Sequence, residues 1–382
     1  MNLQLTEEQQ MVLEMVRSFA EKEVKPVASK MDAASEFPHT LVKALGEMGL
    51  MGAFMPTEYG GSGMDLLTYI LAMEEVSKAW ASLGVIMTVN NSLACDPINR
   101  FGHPAQKEKY LTPLAQGRRL GCYALTEPGA GSDAGGIATQ ARKDGDHYVL
   151  NGTKLFITNG KNADVAIVYA VTDPARGKKG ISAFIVEKAF PGFLVGKIED
   201  KMGLRGSDTA ELIFQECRVP AENLLGTENE GFKIALATLD GGRIGIAAQA
   251  LGIAQGAFET ALTYAKERKQ FGRPIADFQA IQSMLADMKT EIDAARLLTH
   301  RAAWTRQQGR SVTEIAAKAK LYASEMANRV AYKAVQIFGG YGFIKEFPVE
   351  RFYRDGRITT LYEGTSEVQR MVIARHLLQP TL

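Results

Sequence analysis

Cysteine is scarce in this chain: Cys95, Cys122 and Cys217 are its only examples among 382 residues. An odd, scattered set argues against a disulfide framework and fits a reducing compartment. None forms a CxxC pair, and the five histidines show no metal-ligand spacing, so no structural or catalytic metal is expected. An excess of one charge is missing too. Forty-four basic residues meet 43 acidic ones for a net charge of +1, which leaves no global field to recruit nucleic acid or an anionic membrane. No uninterrupted apolar run approaches the ~20 residues of a membrane span. Gly61/Gly63, Gly129/Gly131 and Gly340/Gly342 all lack the third glycine of GxGxxG, and GxxxxGK[ST] does not occur. A Rossmann dinucleotide site and a P-loop are therefore disfavoured. The opening "MNLQLTEEQQ" is polar and acidic, unlike a signal or transit peptide. These absences point to a soluble, cytoplasmic protein, with a processed organellar-matrix chain as the alternative.

What is present is 46% hydrophobic sequence, enough for two or three domains around a substantial core. Residues 1–120 read as helical. Thr6 and Gln9 make a capping box, and Val12, Met15, Val16, Phe19 and Ala20 follow at helical spacing. Further helical stretches are expected near 66–78 and 85–100, and a short surface helix at 104–117. From 121 to 229 the texture changes to short β-branched and aromatic runs. Asp144-Gly145 and Asn151-Gly152 flank "DHYVL" as hairpin signals, and a small β-barrel or sandwich is expected. Helical period returns for 230–382, with helices at 231–268, 276–308, 312–338 and 365–378. Five glycines interrupt the first, each unfavourable by about 1 kcal/mol in a helix, so close packing or a nearby ligand is expected there. The fold class is α+β: an N-terminal α-helical domain, a middle β-barrel-like domain and a C-terminal four-helix bundle.

Several stretches carry both an ordinary and a functional reading. "YALTEPGAGSD", 123–133, is a strand followed either by a simple turn or by an anion-binding nest. "KLFITNGKNAD", 154–164, reads as a core strand. "LDGGRIGIAAQALG", 239–252, places Asp240 and Arg243 one turn apart, as an exposed ion pair or as something functional. In "ERKQFGRPIADFQ", 267–279, Arg268 is either part of a basic helix end or a phosphate clamp. "QIFGGYGF", 336–343, is a glycine helix stop. Ser366 and Gln369 are expected to form a capping box for the last helix. That box leaves Glu363 unexplained.

Taken together with "NGTKLFITNG", "PVERFYRDGRI" and "YEGTSEVQR", these stretches resemble the acyl-CoA dehydrogenase family in order and spacing over nearly the whole chain. "GVIMTVNNSL" at 84–93 and "DGGRIGIAAQALGIAQ" are most similar to its short-chain, butyryl-type members. The resemblance implies a homotetrameric flavoprotein that converts a saturated short-chain acyl-CoA to the trans-2-enoyl-CoA, passing electrons to an electron-transferring flavoprotein. It implies that Tyr123, Leu125, Thr126, Ser132, Phe156 and Thr158 contact FAD, with Thr365 and Glu367. Phe156 stands where many members carry tryptophan. Arg268, Gln279, Gln336, Gly339 and Gly340 match the hold exerted on FAD by a neighbouring subunit. Ser132, Asp240, Arg243 and Gly364 match acyl-CoA contacts.

Glu363 matches the base that removes the proton α to the thioester, with hydride leaving the β-carbon for the flavin. In the isovaleryl and long-chain members the base precedes the arginine matched by Arg243, and here that position is Gly242. A free glutamate, pKa about 4.3, is a weak base for a C–H, and exclusion of water is expected to raise it toward roughly 6–7. Its sequence neighbours Tyr362 and Gly364 suggest an uncharged surrounding. The competing readings are a branched-chain dehydrogenase, a flavin oxidase and a silent flavin- or acyl-CoA-binding scaffold.

Overall fold

The computed structural model describes residues 4–378. Helix α1 (Glu7–Phe19) starts on the expected box: Gln9 N–H donates to Thr6 Oγ1 at 3.2 Å and Thr6 N–H to Gln9 Oε1 at 3.0 Å. Two buried helices follow, α2 (Leu66–Ala79) and α3 (Ala81–Thr88). The chain continues from α3 without a break into a π-helical segment, Val89–Cys95. The extra residue that such a turn accommodates shifts the helical register, a distortion often found at functional sites.

Strands β1 (Gly121–Ala124), β2 (Gln140–Asp144), β3 (His147–Thr158), β4 (Val165–Val171), β5 (Ile181–Glu187), β6 (Phe193–Ile198), β7 (Thr209–Pro220) and β8 (Leu224–Leu225) make one mixed sheet. Its order is β6-β7-β3-β2-β4-β5-β8, with β1 parallel to β4. Asp144 pairs with His147 across a tight turn at Gly145, the hairpin expected there. Asn151-Gly152 is not a turn. It lies inside β3 at a shift in the pairing with β7, where Gly152 takes φ +154°. A Cβ there would come within 2.4 Å of Thr139 Oγ1, so the glycine permits a bulge rather than a reversal. The 104–117 stretch is helical only in short pieces and turns Tyr110, Leu111 and Leu114 into the core.

Helices α4 (Gly231–Glu267), α5 (Gln279–Gln307) and α6 (Thr313–Phe338) pack together, and α7 (Val349–Ile358) and α8 (Ser366–Leu378) lie against α6. Helix α2 also packs on α4, so the helical parts on either side of the sheet share one core. The α4 glycines allow this. A Cβ on Gly252 would stand 2.4 Å from Glu74 O of α2, and one on Gly256 would stand 2.8 Å from Lys78 O.

Helix α8 is capped differently from expectation. Thr365, not Ser366, provides the cap: Val368 N–H donates to Thr365 Oγ1 at 3.3 Å. Ser366 Oγ donates instead to Glu325 at 2.6 Å. Gln369 is used elsewhere.

Candidate active site

Between α7 and α8 the chain makes a strained turn. Glu363 has φ +51° and Gly364 φ +92°. A left-handed glutamate is unfavourable unless its surroundings impose it, and here three helices do. Gln369 of α8 donates to Glu363 O at 3.2 Å and Gly364 O at 2.9 Å. Lys320 of α6 donates to Gly364 O at 2.8 Å. Tyr362 Oη donates to Gln249 Oε1 of α4. The turn therefore presents its side chain in one direction. Glu363 Oε2 is shielded from solvent and has no hydrogen-bond partner, while the residue as a whole is partly buried.

That oxygen points at α4. A Cβ on Gly242 would lie 2.1 Å from it, so the absence of a side chain at Gly242 makes room for the carboxylate. Burial pushes the Glu363 carboxyl up to about 7, against the opposing pull of Lys320 and Arg243. The uncharged surrounding suggested by its sequence neighbours is thus corrected: two cations from α4 and α6 face it across long sequence separations. Arg243 is buried and is bonded through Nη1 to Asp240 Oδ1 at 2.7 Å. Asp240 in turn accepts from Thr313 Oγ1 at 2.6 Å. The exposed-pair reading of these two residues does not hold.

Glu363 opens on a cavity of about 970 Å³, mouth included, between the sheet and the helices. Among the predicted residues it gathers Tyr123, Leu125, Thr126, Ser132, Phe156, Thr158, Arg243, Glu363 and Gly364. Val85, Val89 and Leu93 line it from α3 and the π segment, joined by Leu236 and Leu239 of α4. The hydroxyls of Thr126, Ser132 and Thr158 bond to no other described residue. Phe156 sits at φ +58°, where the β3–β7 register shifts again, and is 62% exposed. "EPGA" is a tight turn in which Glu127 and Ala130 exchange backbone hydrogen bonds, and it delivers Gly131 and Ser132 to the rim. A flat ring system with polar edges fits these walls: an exposed aromatic, apolar sides and three unspent hydroxyls.

The segment before that turn is fastened by a buried ion pair absent from the sequence reading. Lys154 Nζ meets Glu127 Oε1 at 2.6 Å and Leu125 O at 3.2 Å, and Glu127 also accepts from the Ala138 and Thr139 amides.

The remaining predicted residues lie elsewhere. Arg268, Gly339 and Gly340 line a separate groove with Tyr264, Gln270 and Tyr341, and the Arg268 guanidinium stands 5.4 Å from the Tyr341 ring centroid. Gln279 and Gln336 are exposed on α5 and α6, outside that lining. Thr365 is the α8 cap, and Glu367 lines an outer cleft with Arg357 and Thr360. Lys320 carried a legible signal. It falls at helical spacing among Ala316, Ala317, Ala323 and Ala327, all core positions. Gln249 and Gln369 carried none.

A carboxylate kept from water, with its proton affinity raised, is suited to taking a proton from carbon. Comparison with known proteins identifies the family. Models of the acyl-CoA dehydrogenase N-terminal, middle and C-terminal domains match residues 6–118, 122–217 and 229–378, and the chain belongs to this family. It is 54% identical to the short-chain-specific acyl-CoA dehydrogenase of Clostridium acetobutylicum over 98% of this chain and 99% of that one. The solved butyryl-CoA dehydrogenase of Megasphaera elsdenii superposes with TM-score 0.98 at 51% identity, covering 99% of this chain and 100% of that one. A chain from a structure concerning the electron transferring flavoprotein of Acidaminococcus fermentans gives TM-score 0.98 at 54% identity, with the same coverage. A glutaryl-CoA dehydrogenase of Mycobacterium smegmatis, in complex with FADH2, matches at TM-score 0.93 and 33% identity over 99% of this chain and 96% of that one. Among the described residues no helix is long and apolar enough to cross a membrane, and no cluster could hold a metal ion.

Proposed function

We propose that this acyl-CoA dehydrogenase acts on short-chain acyl-CoA thioesters, with Glu363 as the base that removes the α-proton. The observation that carries the reading is the unpartnered, shielded Glu363 Oε2 at the wall of an apolar cavity. At pH above about 7 the carboxyl is ionised, and Oε2 takes the proton as the α C–H bond breaks. Negative charge then develops on the thioester oxygen. The Glu363 backbone N–H donates to no described residue, and the strained turn leaves it available to that oxygen. Arg243 and Lys320 favour the carboxylate before the transfer.

Tyr123, Leu125, Thr126, Ser132, Phe156 and Thr158 would hold FAD, and Thr365 and Glu367 would add a further contact to it. Bound FAD supplies the hydride acceptor that makes removal of the two hydrogens an oxidation. Arg268, Gly339 and Gly340 line a separate groove, and Gln279 and Gln336 are exposed outside the cavity lining, so none of the five joins the cavity within one chain. A second copy in a homotetramer would bring them to it. Asp240, Arg243, Ser132 and Gly364 would contact the acyl-CoA. Electrons then pass to an electron-transferring flavoprotein, in line with the Acidaminococcus neighbour. Three buried, unpaired cysteines suit a reducing cytoplasm.

The test is anaerobic mixing of the purified flavoprotein with butyryl-, isobutyryl-, 2-methylbutyryl- and octanoyl-CoA, following the visible flavin absorbance. Bleaching fastest with butyryl-CoA supports the short-chain reading. Fastest bleaching with another ester moves the substrate, and none with any ester rejects the function.

A further inference from the structure

Lys320 is fully buried, lies in the N-terminal third of α6, and spends its ammonium on one carbonyl, that of Gly364 at 2.8 Å. No acidic side chain pairs with it within ion-pair distance among the described residues. Burying a charge in this way is unfavourable by several kcal/mol unless something is gained. The carbonyl it holds follows Glu363 directly and belongs to the left-handed pair Glu363–Gly364. Gln369 shares that carbonyl, but from α8, the element the turn leads into. Gln249 of α4 holds the turn through the Tyr362 side chain, whereas Lys320 ties the Gly364 backbone itself to the bundle core.

We propose that Lys320 is a positioning residue for dehydrogenation, fixing the Glu363–Gly364 turn from α6 so that both the carboxylate and the Glu363 N–H face the substrate. This rests on Glu363 being the base. The charged groups facing Glu363 are Arg243 from α4 and Lys320 from α6. The neighbouring phenols are Tyr69 on α2, Tyr123 on β1 and Tyr362 in the turn itself, all pushed up by burial and neutral. Glu325 and Glu367 lie farther out and act on Lys320. Removing the Lys320 charge therefore leaves Arg243 as the sole cation acting on the base.

The experiment compares wild type, Lys320→Met, Lys320→Arg and Glu363→Gln as FAD-loaded oligomers, reading FAD content, butyryl-CoA KM and kcat, and kcat/KM against pH. Lys320→Met is expected to keep its FAD and its KM within about threefold. Its kcat should fall roughly 10- to 100-fold, the scale of an ångström-sized misplacement, and its acid limb should move up by about one pH unit. Lys320→Arg, which keeps the charge but not the fit, should lose kcat with the limb unmoved, and it carries the test if the methionine variant does not fold. Wild-type kcat with an unmoved limb in Lys320→Met overturns the proposal, as does wild-type kcat in Lys320→Arg should Met fail. Loss confined to FAD content and KM also overturns it, marking a structural role. Glu363→Gln separates the two claims: if it reduces flavin normally, the base assignment itself has failed.

Discussion

Placing a carboxylate where Glu363 stands should make the folded protein less stable at neutral pH than it could be. The unfolded side chain titrates near 4.5 and the folded one near 7. Between those values the folded chain keeps a proton that the unfolded chain has released, so stability falls as pH rises through this window. Below about pH 4.5 both states are protonated and the difference vanishes; above about pH 7 it is complete, and the shift corresponds to about 3 kcal/mol. Glu363→Gln removes the titration while keeping the shape. The variant is expected to be more stable than wild type at pH 8 by up to about 3 kcal/mol, a rise of a few degrees in Tm for a chain of this size. The advantage should shrink steadily toward pH 5. Thermal unfolding of both flavoproteins by circular dichroism from pH 5 to 8, at one scan rate, measures it. A Tm difference that stays constant with pH, or a glutamine variant less stable at pH 8, would refute the reasoning that burial dominates at this position.

Three further outcomes follow from the same structure. The wild-type kcat/KM should fall about tenfold per pH unit below about 7, because only the ionised Glu363 accepts the proton; a flat profile from pH 8 to 5.5 would contradict this. Gly252→Ala should lower stability by about 2 kcal/mol or more in denaturant titration, although alanine is the better helix former, because its Cβ would sit 2.4 Å from the Glu74 carbonyl of α2. Lys154→Met should lower stability by roughly 3–5 kcal/mol by stranding buried Glu127. It should also weaken FAD retention on gel filtration, since Lys154 holds the Leu125 carbonyl; unchanged retention would detach that segment from the cofactor.

Local chemistry made much of the molecule legible in its sequence. Thr6 with Gln9 begins a helix, Asp144-Gly145 turns a hairpin, and the long periodic stretches became α4, α5 and α6 within a few residues. Misreadings arose where a distant partner decided. Asn151-Gly152 has turn chemistry, but pairing with β7 keeps it extended, and Asn151 Nδ2 donates to Glu216 Oε1 at 2.7 Å. Gln369 looked like half of a capping box, yet it reaches back to the Glu363 and Gly364 carbonyls. The charge around Glu363 was hidden for the same reason: Arg243 and Lys320 lie 120 and 43 residues away in sequence and meet it only after α4 and α6 have packed. A basic residue within an alanine face, as at Lys320, is the one such signal that periodicity exposes.

The most direct measurement is rapid anaerobic mixing of butyryl-CoA with wild type and with Glu363→Gln, both carrying FAD, while flavin absorbance is followed. If Glu363 is the base, the variant still binds the thioester but its flavin bleaches slower by roughly 10²- to 10⁴-fold, the range of a lost general base. Bleaching at close to the wild-type rate would contradict the account at its centre.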